Sequence, residues 1–434
     1  MSNEKSNIGA DQGVGNYKWY VLTMLTLVYV FNFIDRQILV ILSEPIKAEL
    51  GLEDWQLGLL TGLAFAALYV TLGIPIARYA DNNNRKNVVS ISLAIWSAMT
   101  AVSGMAQNFV QLLLARIGVG IGEAGGSPPA HSIISDYFPP EKRATALSIY
   151  STGIYFGIFA GYIIGGSIAA AYGWRMAFYA IGIPGVLFAM VIYATIKEPV
   201  KGALDTHKLS NNSTPLREVI SALLSKKTFL YLGLASGFNT FVTYGVGNFM
   251  PSFLARVHEV DLQTIAIVLG GTMGLGGAIG TYFGGYFADR MGKKDKRWYL
   301  WMGLLGGALN IIPSLILIFT PHATLAMTMI FFTSMTTAFY MGPMLAVTHS
   351  LVNAKMRSFA SAIFFFILNF IGLGFGPLVV GAISTMLEPT YGNLSLRWAF
   401  LFTMIPGVLS MVFYYLASTT YEEELAEFEN VVVA

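Results

Sequence analysis

The 434-residue chain has no cysteine, which excludes disulfides, thiolate metal sites and thiol chemistry. Charge is scarce as well. Asp, Glu, Lys and Arg make up 12% of residues, against about 25% in a soluble domain. A net charge of +2 gives no global attraction for nucleic acid. Histidines occur only at 131, 207, 258, 322 and 349, without ligand spacing, so no metal site is expected. No Gly-x-x-x-x-Gly-Lys-Ser/Thr loop is present, which argues against direct ATP drive. No Ser–His–Asp or metal-ligand set can be gathered at one depth, so neither an enzyme nor a cofactor is expected. Residues 1–16 are polar and carry no apolar core of the signal-peptide kind, so no cleavable leader is expected.

What is abundant is apolar sequence. Hydrophobic residues reach 55% and mean hydropathy is +0.61. The 30 Phe, 22 Tyr and 7 Trp suit interfacial belts and apolar pockets. A helix needs about 20 apolar residues to cross a bilayer. Twelve spans are predicted: 18–42, 55–79, 87–106, 110–134, 143–171, 176–196, 228–255, 263–287, 298–319, 324–350, 358–386 and 397–418. The expected organisation is a polar tail (1–17), a six-helix bundle (18–196), a linker (197–227), a second six-helix bundle (228–418) and an acidic tail (419–434). In the linker, Leu216 to Leu224 is patterned as a surface amphipathic helix. With both termini in the cytoplasm, twenty Lys and Arg fall on inside segments. Only Lys47, Arg175, Arg256 and Arg397 fall outside, which is the positive-inside arrangement.

The chain also repeats itself. Ala77-Arg78-Tyr79-Ala80-Asp81 precedes Arg85-Lys86, and Tyr286-Phe287-Ala288-Asp289-Arg290 precedes Lys293-Lys294. Trp174-Arg175-Met176-Ala177-Phe178 leads to Pro184-Gly185, and Leu396-Arg397-Trp398-Ala399-Phe400 leads to Pro406-Gly407 at the same spacing. Two membrane-embedded halves on one plan suit a machine in which one half rocks against the other.

The loops after spans 2 and 8 resemble the signature of the major facilitator superfamily. The cleaner copy is Gly285-Tyr286-Phe287-Ala288-Asp289-Arg290 followed by Gly292-Lys293-Lys294; the first has Asn82-Asn83-Asn84 where Arg-x-Gly is common. The resemblance implies an all-α integral membrane fold of two pseudo-symmetric six-helix bundles. It also implies a monomeric secondary transporter of the bacterial inner membrane. Within that superfamily, Asn32-Phe33-Ile34-Asp35-Arg36 and Arg116-Ile117-Gly118-Val119-Gly120-Ile121-Gly122-Glu123-Ala124 resemble the Spinster family. That resemblance implies an amphiphilic, lipid-like substrate of the lysolipid or sphingoid type, including phosphorylated forms. A drug or organic-anion carrier on the same scaffold is the alternative. A non-transporting receptor is the alternative of another class, although a receptor would have no need of latch residues in both halves. Span 5 (Gly153, Gly157, Gly161, Gly165, Gly166) and span 11 (Gly372, Gly376-Pro377, Gly381) resemble a Gly/Pro motif of antiporters, with Tyr162 where the motif has proline. The motif favours export, and the same glycines serve close helix packing.

Four ionisable residues fall well inside spans: Asp35, Arg36, Arg116 and Glu123. Each costs roughly 2.5–3.5 kcal/mol if unpaired at the membrane centre, so each should face a partner or a wet cavity. Arg116 and Glu123 are two helical turns apart and share a face with Gly120. Gly118, Gly122 and Gly126 form a packing face. Asp35 and Arg116 lie at similar depths, which allows an ion pair, and Asn32 extends the polar strip. The functional reading gives proton exchange to Asp35 and Glu123. It gives anion binding to Arg116 and Arg36, with Asn32 and Glu123 beside them. A permanent salt bridge between spans 1 and 4 is the other reading, and Arg36 also has the length to reach the interface. Asp81, Arg85, Arg143, Asp289, Arg290 and Arg357 read as a cytoplasmic gate, or as loop charge that sets topology. In the second half, Asn239, Thr240, Thr243, Tyr244, Asn248, Asn310 and Asn369 supply polarity without deep charge. The expected partners are an amphiphilic substrate, protons and membrane lipids.

Overall fold

The computed structural model describes residues 14–201, 216–353 and 356–433. Most of the expected N-terminal tail and the middle of the expected linker lie outside the described residues.

Among the described residues the helices follow one another as twelve helical passes. Pass 1 is Val14–Ile41. Pass 2 is Asp54–Thr61 plus Leu63–Asn82, pass 3 Arg85–Ser103, and pass 4 Phe109–Glu123 plus Ser127–Tyr137. Passes 5 and 6 are Pro140–Tyr172 and Trp174–Thr195. The second half holds pass 7 (Lys227–His258), pass 8 (Leu262–Gly292) and pass 9 (Trp298–Phe319). Pass 10 is Ala323–Thr337 plus Met341–Ser350. Pass 11 runs from Arg357 to Tyr391 through a π-helical turn at Asn369–Gly374, and pass 12 is Ser395–Phe402 plus Met404–Val433. Short helices at Ser43–Leu50 and Leu216–Leu224 lie between passes.

Among the described residues, nine stretches are long and apolar enough to cross a membrane. One of them, Phe359–Glu427, contains two passes that turn at Gly392–Leu394. Passes 3 and 7 fall short of that apolarity because they bury polar side chains against other helices. These include Ser97 and Thr100 in pass 3, and Ser236, Asn239 and Thr240 in pass 7. An even number of passes returns the chain to the side on which it began. Tyr17 accordingly bonds the Thr195 carbonyl at 2.7 Å, and Glu424 accepts from the Lys227 amide at 2.8 Å. This is the termini side; the opposite one is the distal side.

Glycine sets how closely the passes approach. Along pass 5, a Cβ at Gly157 would strike Phe33 and the Val30 carbonyl, and one at Gly161 would lie 2.9 Å from Gln37. Pass 1 therefore lies in a groove of pass 5. Two seams join the halves. In one, Gly166 of pass 5 meets Ala266 of pass 8, and Gly270 meets Phe159 and Ile163. In the other, Gly58 of pass 2 lies against the Pro377 carbonyl of pass 11, and Gly381 of pass 11 against the Asp54 carbonyl. Both seams are built from the distal and central parts of the passes. No comparable seam joins the halves on the termini side among the described residues.

The Gly58–Pro377 contact leaves no room for a side chain. Gly58→Val is expected to lengthen the distance between spin labels at the distal ends of passes 2 and 11 by several ångström, with helix content unchanged. An unaltered distance distribution would show that this seam does not hold the halves together.

Candidate functional site

Pass 1 is unbroken around its charged residues. Asn32 and Arg36 share a face, and Asp35 points about 100° away from Arg36. Pass 4 is built differently. Its first helix ends at Glu123, where Gly125 and Gly126 follow and Pro128 and Pro129 supply no N–H to continue the ladder. Glu123 therefore sits at the negative end of a half-helix, a poor place for a carboxylate, and it is buried. Arg36 compensates: its Nε donates to Glu123 Oε2 at 2.8 Å.

Aromatic rings hold the Arg36 guanidinium in that position. Its centre lies 4.8 Å from the Phe65 and Tyr69 ring centroids and 5.1 Å from that of Phe33. Phe65 also lies 5.9 Å from the Arg116 guanidinium. Gly120 makes this possible. A Cβ there would come within 2.7 Å of the Phe65 carbonyl oxygen, so only glycine lets pass 2 approach pass 4 this closely. On the other face of pass 4, Gly118 meets Met99, and Gly122 and Gly126 meet Trp96.

The partners differ from those the depths suggested. Arg116 forms no ion pair with Asp35. Its Nη1 donates instead to the Asp35 backbone carbonyl at 3.3 Å, and its Nε has no partner. The cause is rotational: the Asp35 side chain turns toward pass 3, where the Trp96 indole and the Thr100 hydroxyl adjoin it. Arg36 does not reach for the interface but turns inward to Glu123. Asn32 is buried beside Glu123.

Both guanidinia border a narrow cleft of about 20 Å³ between the halves, room for about one water in this conformation. Gln37, Val40 and Thr61 continue its first wall; Tyr244, Asn248 and Leu373 form the second. Asn248 crosses the gap to the Thr61 carbonyl at 3.4 Å. Of the other polar residues of the second half, Thr240 bonds Tyr340, Asn310 accepts from Thr336, and Asn369 turns back onto the Phe365 carbonyl.

The bonds described for Arg85, Arg143, Asp289 and Arg290 do not cross between the halves. Arg85 is buried against Asp136, Glu198 and Ser132 of the first bundle, with Glu198 at 2.7 Å. Arg143 donates to the carbonyls of Ser135 and Phe138. Asp289 accepts from the Tyr299 hydroxyl at 3.0 Å, Arg290 donates to Tyr286, and Arg357 is exposed. The Asp81 side chain lies outside the described ones.

The ion pairs that join the halves among the described residues are distal, and sequence reasoning missed them. Arg256 of pass 7 grips Asp54 at the head of pass 2 with two bonds, at 2.7 and 2.8 Å. The same guanidinium binds Glu44 at 2.7 Å. Lys47 adds 2.7 Å to Asp54 and 3.6 Å to Glu388 of pass 11, and the Ser384 hydroxyl donates to Asp54 at 2.6 Å. The available signal was that Lys47 and Arg256 are two of the four basic residues on the outside segments. Their acidic partners come from sequence positions that only the fold brings together.

The pattern of the Major Facilitator Superfamily matches residues 25–377. An "MFS-type efflux pump" of Mycolicibacterium smegmatis is 31% identical over 422 residues, 96% of each chain. The mouse sphingosine-1-phosphate transporter SPNS2 is 31% identical over 244 residues, 55% of this chain and 44% of its own. A solved bacterial homologue of the human lysosomal transporter Spinster, described as inward-facing and unoccupied, superposes with a TM-score of 0.85 at 31% identity. It covers 94% of this chain and 98% of its own.

With no native cysteine, a thiol placed at Thr61 in the cleft reports access from either side. Arg256→Ala leaves Asp54 buried with Lys47 as its one remaining cation. It is expected to raise labelling of Thr61→Cys from the distal side roughly tenfold, about 1.4 kcal/mol of bias. An unchanged labelling rate would show that the distal ion pairs do not hold this side shut.

Proposed function

Because the chain belongs to the major facilitator superfamily and is Spinster-like, we propose that it is a proton-coupled carrier of an amphiphilic, anionic, lipid-like molecule, working as a monomer by alternating access in the bacterial inner membrane. The positive-inside count puts the termini side in the cytoplasm. On that topology the present conformation is shut toward the outside by the distal ion pairs.

The observation that carries the reading is the asymmetry of the cleft. One wall presents two guanidinia, and the other presents a phenol, an amide and Leu373. Arginine stays charged at any relevant pH and offers a planar fork of donors to a phosphate or carboxylate. An anionic group entering the cleft would engage Arg116 and compete with Glu123 for Arg36. A buried carboxylate that loses its cation favours protonation, which links substrate entry to proton uptake. Asp35 is the second proton carrier in this reading. Asn32, beside Glu123, supports the exchange without bordering the cleft.

After the halves rock, the distal pairs part. Asp81, Arg85, Arg143, Asp289, Arg290 and Arg357 then close the termini side. A second reading is efflux of a drug-like or organic anion by the same route. The relative named as an efflux pump favours it, because it matches almost the whole chain.

Proteoliposomes with an imposed pH gradient test the coupling. Asp35→Asn and Glu123→Gln are each expected to abolish proton-driven movement of a lysolipid while the protein stays folded. Retained pH-driven movement in both variants would overturn the proton assignment. Headgroup recognition is tested with Arg116→Lys, which keeps the charge but loses the fork. It should weaken binding of a phosphorylated lysolipid roughly tenfold more than that of a zwitterionic one, about one good charge-assisted hydrogen bond. Equal losses across the series would make Arg116 structural.

A further inference from the structure

Asp35 is fully buried, and its carboxyl oxygens have donors nearby but none at full hydrogen-bond geometry. It does not border the cleft, although Arg36 beside it does. Pass 3 closes the space in front of the carboxyl. There the buried Trp96 Nε1 and Thr100 Oγ1 adjoin the carboxyl without reaching full hydrogen-bond geometry to it, whereas Ser97 Oγ faces Gly185 of pass 6. Trp96 and Thr100 stand one turn apart and adjoin the carboxyl. Pass 4 clamps the indole in place, since a Cβ at Gly122 would lie 2.6 Å from the Trp96 amide and one at Gly126 would lie 3.3 Å from its ring. Buried polar groups without partners are costly, and apolar side chains of similar shape would fill this space without that cost. Two donors beside two acceptor oxygens, none of them fully bonded, therefore call for a role.

We propose that Trp96 and Thr100 form, with Asp35, a closed proton chamber separate from the substrate cleft, and position the carboxyl to take up and release the coupling proton. The proposal rests on the proton-coupled reading above. An indole N–H can only donate, so it serves the ionised carboxylate alone. A hydroxyl serves both forms: it donates to the carboxylate, and it accepts from the acid O–H once the proton has arrived. Trp96 thus favours release, while the Thr100 hydroxyl holds the side chain in either state. The charged groups acting on Asp35 are Glu123 and Arg116 of pass 4. Passes 5 and 6, which also pack on pass 1, bring none to it. Because the substrate groups bind on the opposite face of pass 1, loss of these donors should change the pH response and leave headgroup selectivity alone.

Infrared difference spectroscopy on the full-length protein in lipid vesicles reads the carboxylic-acid C=O band directly, without a substrate. The Asp35 band is identified by its loss in Asp35→Asn. In Trp96→Phe, removal of a donor that serves only the ionised form is expected to raise the midpoint of that band by roughly one pH unit, a tenfold change in proton affinity. Thr100→Val, which remains informative if Trp96→Phe does not fold, is expected to move the band to higher frequency as the acid O–H loses its acceptor. An Asp35 band whose midpoint and frequency match wild type in the variants that fold would overturn the chamber and leave proton coupling standing. If Asp35→Asn removes no titrating band, the chamber and the role of Asp35 in coupling both fall.

Discussion

A charge inside a low-dielectric bundle must be matched, and the first half of this transporter is arranged around how unequally the four charges of Asp35, Arg36, Arg116 and Glu123 are matched. Glu123 has a full cation at 2.8 Å, and that cation is itself seated among three rings. Arg116 has a backbone carbonyl and one idle nitrogen, and Asp35 has donors nearby but none at full hydrogen-bond geometry. The matching depends on backbone geometry. Glycine at 120 lets Phe65 come down onto the guanidinia, and the helix break after Glu123 puts a carboxylate where the half-helix already carries negative charge. Removing the cation from such a place leaves an uncompensated charge, which is costly.

The same physics works differently between the halves. The distal network joins buried Asp54 to Arg256 and Lys47, with Glu44 and Glu388 more exposed. Asp54 is dry, so each cation it loses leaves a costly unmatched charge, while Glu44 and Glu388 keep contact with water. Beneath them lies the glycine seam of passes 2 and 11, where backbones touch without interlocking side chains. A seam of smooth contacts capped by ion pairs suits surfaces that must separate as one body. The break in pass 2 at Gly62 and the π-helical turn in pass 11 lie next to each other in this seam, with Gly62 against the carbonyls of Leu373 and Gly374. Both interrupt regular helix where the distal contact gives way to the cleft.

The sequence by itself determined that the chain is a succession of apolar helices and which four charges lie deep within them. Those features are local: a run of apolar residues must form a helix in lipid, and a charge within it is visible wherever the helix packs. The face shared by Arg116, Gly120 and Glu123 was legible for the same reason, since helical spacing is a property of one segment. Depth along two helices, by contrast, does not say which residues meet. Asp35 and Arg116 match in depth, yet Arg36 takes the acid of pass 4 because pass 1 is rotated to present it there. The distal pairs were illegible for a stronger reason. Arg256 and Asp54 stand 202 positions apart, and nothing in either neighbourhood names the other. Tertiary structure alone decided which charge answers which, because helix rotation and the docking of one bundle on the other are set by packing over the whole interface.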